Sequence, residues 1–133
     1  MFLSGFRAYD TQAGLYNNYV AAHGKQEADR FSARPGYSEH QTGLVFDLID
    51  NQGKLLGSDG TNEASKKAAE WLANNAHKYG YIVRYKPEFV DKTGYMEESW
   101  HIRYVGEDIA KTIHEKNISL EEYLNAPGGD YAN

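Results

Sequence analysis

The alternation of apolar and polar positions divides this chain into several helices and a few short strands. Phe2 to Ser4 reads as the end of a strand, closed by Gly5. From Asp10, read as an N-cap, Gln12, Leu15, Tyr16, Tyr19 and Val20 follow helical spacing to about His23, and Gly24 suits a left-handed stop. Lys25 to Phe31 predicts a second, short helix. From Ser32 to Thr42 the period breaks, and Pro35-Gly36 fits the centre of a type II turn, so an ordered loop is expected. Leu44 to Ile49 is a compact apolar run interrupted by one acid, Asp47, and reads as a buried strand. Turn residues Asn51-Gln52-Gly53 lead to a possible short strand at Lys54 to Leu56 and a polar loop to Thr61.

The clearest helix runs from Glu63 to Tyr79. Ala64, Ala68, Trp71, Leu72, Ala76 and Tyr79 recur at three- and four-residue spacing and predict its buried face, with Gly80 as the stop. Tyr81 to Arg84 then reads as a strand, Tyr85 to Tyr95 as a polar loop, and Trp100 to Tyr104 as a further strand. Glu107 to Asn117 predicts a helix buried through Ile109 and Ile113. Ser119 and Glu122 form a capping box for a last short helix, and 126–133 reads as a flexible tail. Helices and strands do not alternate, and several strand links are too short for crossover helices. The pattern therefore predicts an α+β domain, a small and mainly antiparallel sheet flanked by helices.

Composition adds limits. A chain of 133 residues suits one domain, and 41% hydrophobic with 25% charged residues is ordinary for a globular protein. A net charge of -5 argues against nucleic acid as a partner, because phosphate-backbone binding needs a basic face. No apolar run is long enough to span a membrane. Eleven tyrosines would suit a groove for a polar, amphipathic ligand, and they would equally suit a core. The absence of cysteine removes disulfides, thiolate zinc sites and cysteine nucleophiles, so any metal must be held by His, Asp or Glu. Met1-Phe2-Leu3 leads straight into Ser4-Gly5 without an export signal; the expectation is a trimmed catalytic domain in preference to a naturally minimal chain, and a monomer.

Three polar residues stand where the local pattern does not want them. His40 lies in a glycine-bounded loop, Asp47 inside an apolar strand, and His101 in a strand-like segment after Trp100. A carboxylate in a buried strand costs roughly several kcal/mol unless a cation or strong hydrogen bonds compensate it. Two imidazoles and a carboxylate suit catalytic zinc, which keeps a fourth position for water. By spacing alone a buried Asp in a hydrogen-bond network is the better fit. Glu98, three residues before His101, could carry a proton between an activated water and a leaving amine, although spacing does not separate it from Glu97. Arg7 could hold an oxyanion or a substrate carboxylate, or simply pair with Asp10. His23, His77 and His114 fall among polar neighbours on helical segments and read as solvated.

These residues also carry a resemblance. Ser38-Glu39-His40-Gln41-Thr42-Gly43-Leu44-Val45-Phe46-Asp47 resembles the Ser-x-His-x-x-Gly-x-x-x-Asp signature of the VanY-type D-alanyl-D-alanine carboxypeptidases, a family that includes the LdcB-like L,D-carboxypeptidases. Glu98-Ser99-Trp100-His101 is similar to its Glu-x-Trp-His segment, with Ser99 where proline is frequent. Ser4-Gly5-Phe6-Arg7 is similar to its Ser-Gly-Tyr-Arg opening, with Phe6 for tyrosine. Likeness continues through Leu15 to Val20, Ser32 to Gly36 and Leu120 to Tyr123, nearly the whole chain in order. The helix and strand that family members carry before the Ser-Gly-Tyr-Arg motif are not in this sequence.

The resemblance implies zinc as cofactor, held by His40, Asp47 and His101 in a central groove. It implies Glu98 as general base and acid, Arg7 as stabiliser of the tetrahedral intermediate or substrate anchor, and Ser38 and Gln12 as substrate-binding residues. The implied partners are peptidoglycan stem peptides, and the implied location is the bacterial cell envelope or outside it. D,D-carboxypeptidase activity is preferred by a small margin over L,D-activity on the tetrapeptide stem. A non-catalytic peptidoglycan-binding module and a cross-link endopeptidase are the remaining alternatives.

Overall fold

The computed structural model describes residues 1–128; most of the 126–133 segment read as a tail, 129–133, lies outside the described residues. Four strands form one antiparallel sheet: β1 (Phe2–Ser4), β2 (Val45–Leu48), β3 (Tyr81–Tyr85) and β4 (Glu98–Tyr104), ordered β1-β2-β4-β3. The helices are α1 (Tyr9–His23), α2 (Lys25–Phe31), α3 (Glu63–Asn75), α4 (Val90–Thr93), α5 (Glu107–Lys116) and α6 (Leu120–Leu124). This is the expected α+β architecture. None of these helices is long and apolar enough to cross a membrane.

The longest strand, β4, lies between β2 and β3. Its pairing puts Asp47 opposite His101 and Val45 opposite Arg103 on one side, and Ile82 opposite Arg103 on the other. Directly opposed residues share a sheet face, so Asp47, His101 and Arg103 point the same way. A hydrophobic cluster of Ile82, Ala110, Ile113 and Leu120 joins β3 to α5 and α6, with Val105, Ile109 and Ile118 packed against it. Between α2 and the sheet, the chain from Ser32 to Ser38 is pinned by Asp29. That carboxylate accepts from the Tyr16 hydroxyl at 2.6 Å and from Arg34 at 2.9 and 2.7 Å.

Several expectations need correction. Helix α1 starts at Tyr9, and the backbone cap is Ala8, with no side-chain cap; Asp10 sits in the first turn, where its charge meets the helix dipole. The helix expected to reach Tyr79 ends at Asn75 and continues as a 3-10 turn, Ala76–Tyr79; its buried face keeps Leu72 and Ala76 as expected but runs through Ser65 and Ala69 in place of Ala64 and Ala68. Ser65 and Ala76 are buried and Ala69 and Leu72 half-buried, whereas Trp71 and Tyr79 are 55% and 62% exposed. Large aromatics dominated the periodic reading, but the close approach of α3 to the sheet admits small side chains. Gly57, at φ +79°, lies so near that a Cβ there would be 2.5 Å from Ser99 Oγ and 2.9 Å from Ala69 Cβ.

Residues 85–95 are not a plain loop. Tyr85 ends β3, Pro87–Phe89 forms a 3-10 turn, and α4 follows. Phe89 and Thr93 are buried beneath this segment, a tertiary anchor that its polar composition hides. Nor are His77 and His114 simply solvated. Both are half-buried, and their rings stack at 3.7 Å between the end of α3 and α5.

Candidate metal centre

His40, Asp47, His101 and Glu98 are brought together by a 3-10 turn, the β2–β4 register and a bulge. His40 lies in a 3-10 turn, Glu39–Thr42, capped by the Ser38 hydroxyl, which accepts from the His40 N–H at 3.3 Å. Gly43 closes the turn at φ 72°, a conformation that side chains resist. The Gly5 carbonyl lies 2.6 Å from His40 Nδ1, so Nδ1 is the donor to Gly5 and Nε2 is the nitrogen turned into the site. That Nε2 is 3.2 Å from Asp47 Oδ2. Asp47 projects from β2, and the β2–β4 register brings His101 Nδ1 to 3.0 Å from Asp47 Oδ1.

The three donor atoms lie within 4.8 Å of one another, and His40, Asp47 and His101 are 5%, 8% and 4% exposed. Tetrahedral ligands about 2.1 Å from an ion stand roughly 3.4 Å apart, which the imidazole–carboxylate separations approach. Together they could hold a metal ion.

Glu98 comes to the same point by an irregularity. An unbroken strand would send Glu98 and His101, an odd number of residues apart, to opposite faces. However, Val83 pairs with Ile102 and Tyr85 with Glu98, so two steps along β3 match four along β4. Regular alternation is lost across this bulge, and Glu98, Trp100 and His101 all border one cavity. Glu98 Oε2 is 3.8 Å from His101 Nδ1 with its side chain 13% exposed. Glu97 is exposed and lines a different cleft, toward α3.

Arg7 bonds Gln12 Oε1 at 2.8 Å and Ser4 Oγ at 3.3 Å, and its Nη2 is 3.7 Å from Asp47 Oδ2. Gln12 is 1% exposed; its amide nitrogen donates to the Ala33 carbonyl at 2.6 Å, so both of its polar ends already face protein partners. Arg7, Gln12, Ser38, Glu98 and the three donors all border one open cavity of about 470 Å³.

The electrostatics of the site call for positive charge. Burial pushes the Asp47 carboxyl up, yet hydrogen bonds from His101 and His40 outweigh it and leave it well below the usual range. Burial pulls His101 down, and its bonds to Asp47 and Glu39 overcome this, raising it to about 9. Glu98 is raised by burial to about 7; the charges of Asp47 and Glu39 add to the rise, while His101 and Arg7 oppose it. A dication among these groups would replace protons that the metal-free cluster must otherwise hold.

Sequence reasoning missed Glu39. Its Oε2 is 3.2 Å from His101 Nε2, and its Oε1 accepts from Arg84 and Arg103, each at 2.9 Å. An acid next to His40 was visible, but its partners lie 45 to 64 residues away.

Residues 1–107 match the VanY family of D-alanyl-D-alanine carboxypeptidases. The chain belongs to this family. A D-alanyl-D-alanine carboxypeptidase of Enterococcus faecalis is 35% identical over 131 residues, covering 92% of this chain and 46% of that protein. The VanY-family chain thus spans about half the length of the curated relatives it matches. The L,D-carboxypeptidase DacB of Streptococcus pneumoniae superposes with a TM-score of 0.84 at 53% identity, over 96% of this chain and 65% of that one. A variant of the vancomycin-resistance D,D-pentapeptidase VanY, solved in complex with Zn(II), gives 0.79 at 34% identity, over 94% and 71%.

Proposed function

We propose that this VanY-family chain is the catalytic domain, spanning 1–133, of a zinc carboxypeptidase that removes the C-terminal D-alanine from peptidoglycan stem peptides. The observation that carries the reading is the convergence of His40, Asp47 and His101 in an open cavity, with Glu98 3.8 Å from His101. The donor set of two imidazoles and one carboxylate fits zinc with a position left for water. When bound, zinc supplies Lewis-acid activation of that water and of the scissile carbonyl.

The remaining work falls to side chains. Glu98 takes the proton of the attacking water and delivers it to the departing amine, a role open to a carboxylate that borders the same cavity as the three donors. Arg7 presents its guanidinium on the Asp47 side of the cavity, where it can stabilise a developing oxyanion or grip the substrate carboxylate. Gln12 supports this by fixing the guanidinium, and it binds substrate through Arg7. Ser38 borders the cavity and offers its hydroxyl to a peptide backbone. Such substrates place the enzyme in the bacterial cell envelope or outside the cell.

Specificity for the L,D bond of the tetrapeptide is favoured by one observation, 53% identity to an L,D-carboxypeptidase against 34% to a D,D-pentapeptidase. The test is direct. Zinc per chain is measured by elemental analysis, and the loaded protein is incubated separately with tetrapeptide and pentapeptide stems, with products weighed by mass spectrometry. Loss of one alanine from either peptide supports the proposal, and the peptide consumed assigns the bond. No release from either by zinc-loaded protein sinks it and leaves a binding module.

A further inference from the structure

Glu39 divides its two oxygens between two tasks. Oε1 takes hydrogen bonds from Arg84 Nε and Arg103 Nη1, both at 2.9 Å. Oε2 faces the outer nitrogen of His101, Nε2, at 3.2 Å. The side chain is 14% exposed, and its guanidinium partners keep it a carboxylate. An ionised carboxylate accepts hydrogen bonds and cannot donate them.

Arg84 is itself locked. It is 8% exposed, gives Nη1–H to Glu121 Oε2 at 2.9 Å and bonds the other Glu121 oxygen through Nη2. The Tyr85 ring, 4.9 Å from the His101 ring, completes the box around the imidazole. The chain of contacts thus runs from α6 through β3 and the 3-10 turn to β4, and Glu121 stands outside the 1–107 family match.

We propose that Glu39 is the positioning residue of the metal centre, holding the His101 proton on Nε2 so that Nδ1 faces the metal, with Arg84, Arg103 and Glu121 fixing its carboxylate. This rests on the metal reading above. A neutral imidazole carries one N–H, and a fixed acceptor at Nε2 decides which nitrogen bears it. Only then can Nδ1, already 3.0 Å from Asp47, serve as a ligand. The carboxylate also raises the ring's donor strength. Glutamine cannot replace it. An amide that turned its oxygen to His101 would aim its NH2 at two guanidinium groups, and the reverse orientation would leave the Nε2 proton without an acceptor.

The experiment measures zinc affinity by chelator competition for wild type, Glu39→Gln, Glu121→Gln and His40→Ala, together with urea unfolding of each metal-free protein. Expected is a 10- to 100-fold weaker zinc complex for Glu39→Gln, the range typical of outer-shell partners of metal ligands. Glu121→Gln should weaken it by a smaller factor in the same direction, and it keeps the test open if Glu39→Gln does not fold. A purely structural ion pair would lower unfolding stability in both variants without moving zinc affinity, and that result overturns the positioning role. Should His40→Ala alone lose zinc, the metal reading stands and Glu39 is excluded. Equal zinc binding by all four proteins overturns both.

Discussion

Replacing Glu98 by glutamine separates holding a metal from using it. The side chain keeps its shape and its place in the β4 bulge, and it loses the ability to carry a proton. Turnover on the preferred stem peptide should fall by about 10²- to 10⁴-fold, the usual worth of a positioned acid–base group, while zinc stays at one per chain. A second, opposite effect follows from burial. In metal-free protein the Glu98 carboxyl is raised from 4.5 to about 7. A carboxyl raised by folding supports the fold fully below its unfolded value near 4.5, and that support is lost as pH climbs through about 7. The difference corresponds to roughly 3 kcal/mol at most. Glutamine is neutral at every pH, so at pH 8 the metal-free variant should exceed wild type by up to that amount. The curves should converge near pH 4.5. In urea this is a midpoint shift on the order of 1 to 2 M. Zinc reverses the penalty by favouring the ionised carboxylate, and the acid limb of wild-type turnover should therefore lie below about 7. Wild-type turnover by Glu98→Gln refutes the proton-carrier role. A pH 8 midpoint no higher than wild type refutes the account of its burial.

Other outcomes can be stated briefly. Asp47→Asn should abolish stoichiometric zinc binding, and with it the stabilisation of about 4 kcal/mol that zinc at a thousandfold its Kd gives wild type; thermal unfolding with and without zinc reads this. Arg7→Ala should lower turnover on the order of a hundredfold or more with zinc content unchanged, measured by steady-state kinetics and elemental analysis. Asp29→Ala removes the acceptor of the buried Tyr16 hydroxyl and should cost about 1 to 3 kcal/mol in urea unfolding. Gly57→Ala combines a positive φ with a 2.5 Å approach to Ser99 Oγ and should cost about 1 to 3 kcal/mol by the same assay.

What could be read from the sequence were the features that local physics decides. The glycine stop at Gly80 and the capping box at Ser119 and Glu122 depend on neighbours a few residues apart, and the structure contains both; Gly24 ends α1 at φ 82° but with an extended ψ of 157°, outside the left-handed helical region the sequence suggested. The out-of-place polar residues His40, Asp47 and His101 were visible for the same reason, because an acid in an apolar strand needs a partner whatever the fold. Tertiary structure alone decided the rest. The face of α3 that is buried depends on how near the sheet lies, which favours Ser65 and Ala69 over Trp71. Glu98 was separated from Glu97 only by a bulge between paired strands, since alternation along one strand would have turned Glu98 away from His101. Glu39 joined the site through Arg84, Arg103 and His101, residues that chain distance hides and sheet register brings together. Side-chain period is a property of one segment, whereas register belongs to two, and the arrangement of this site is a matter of register.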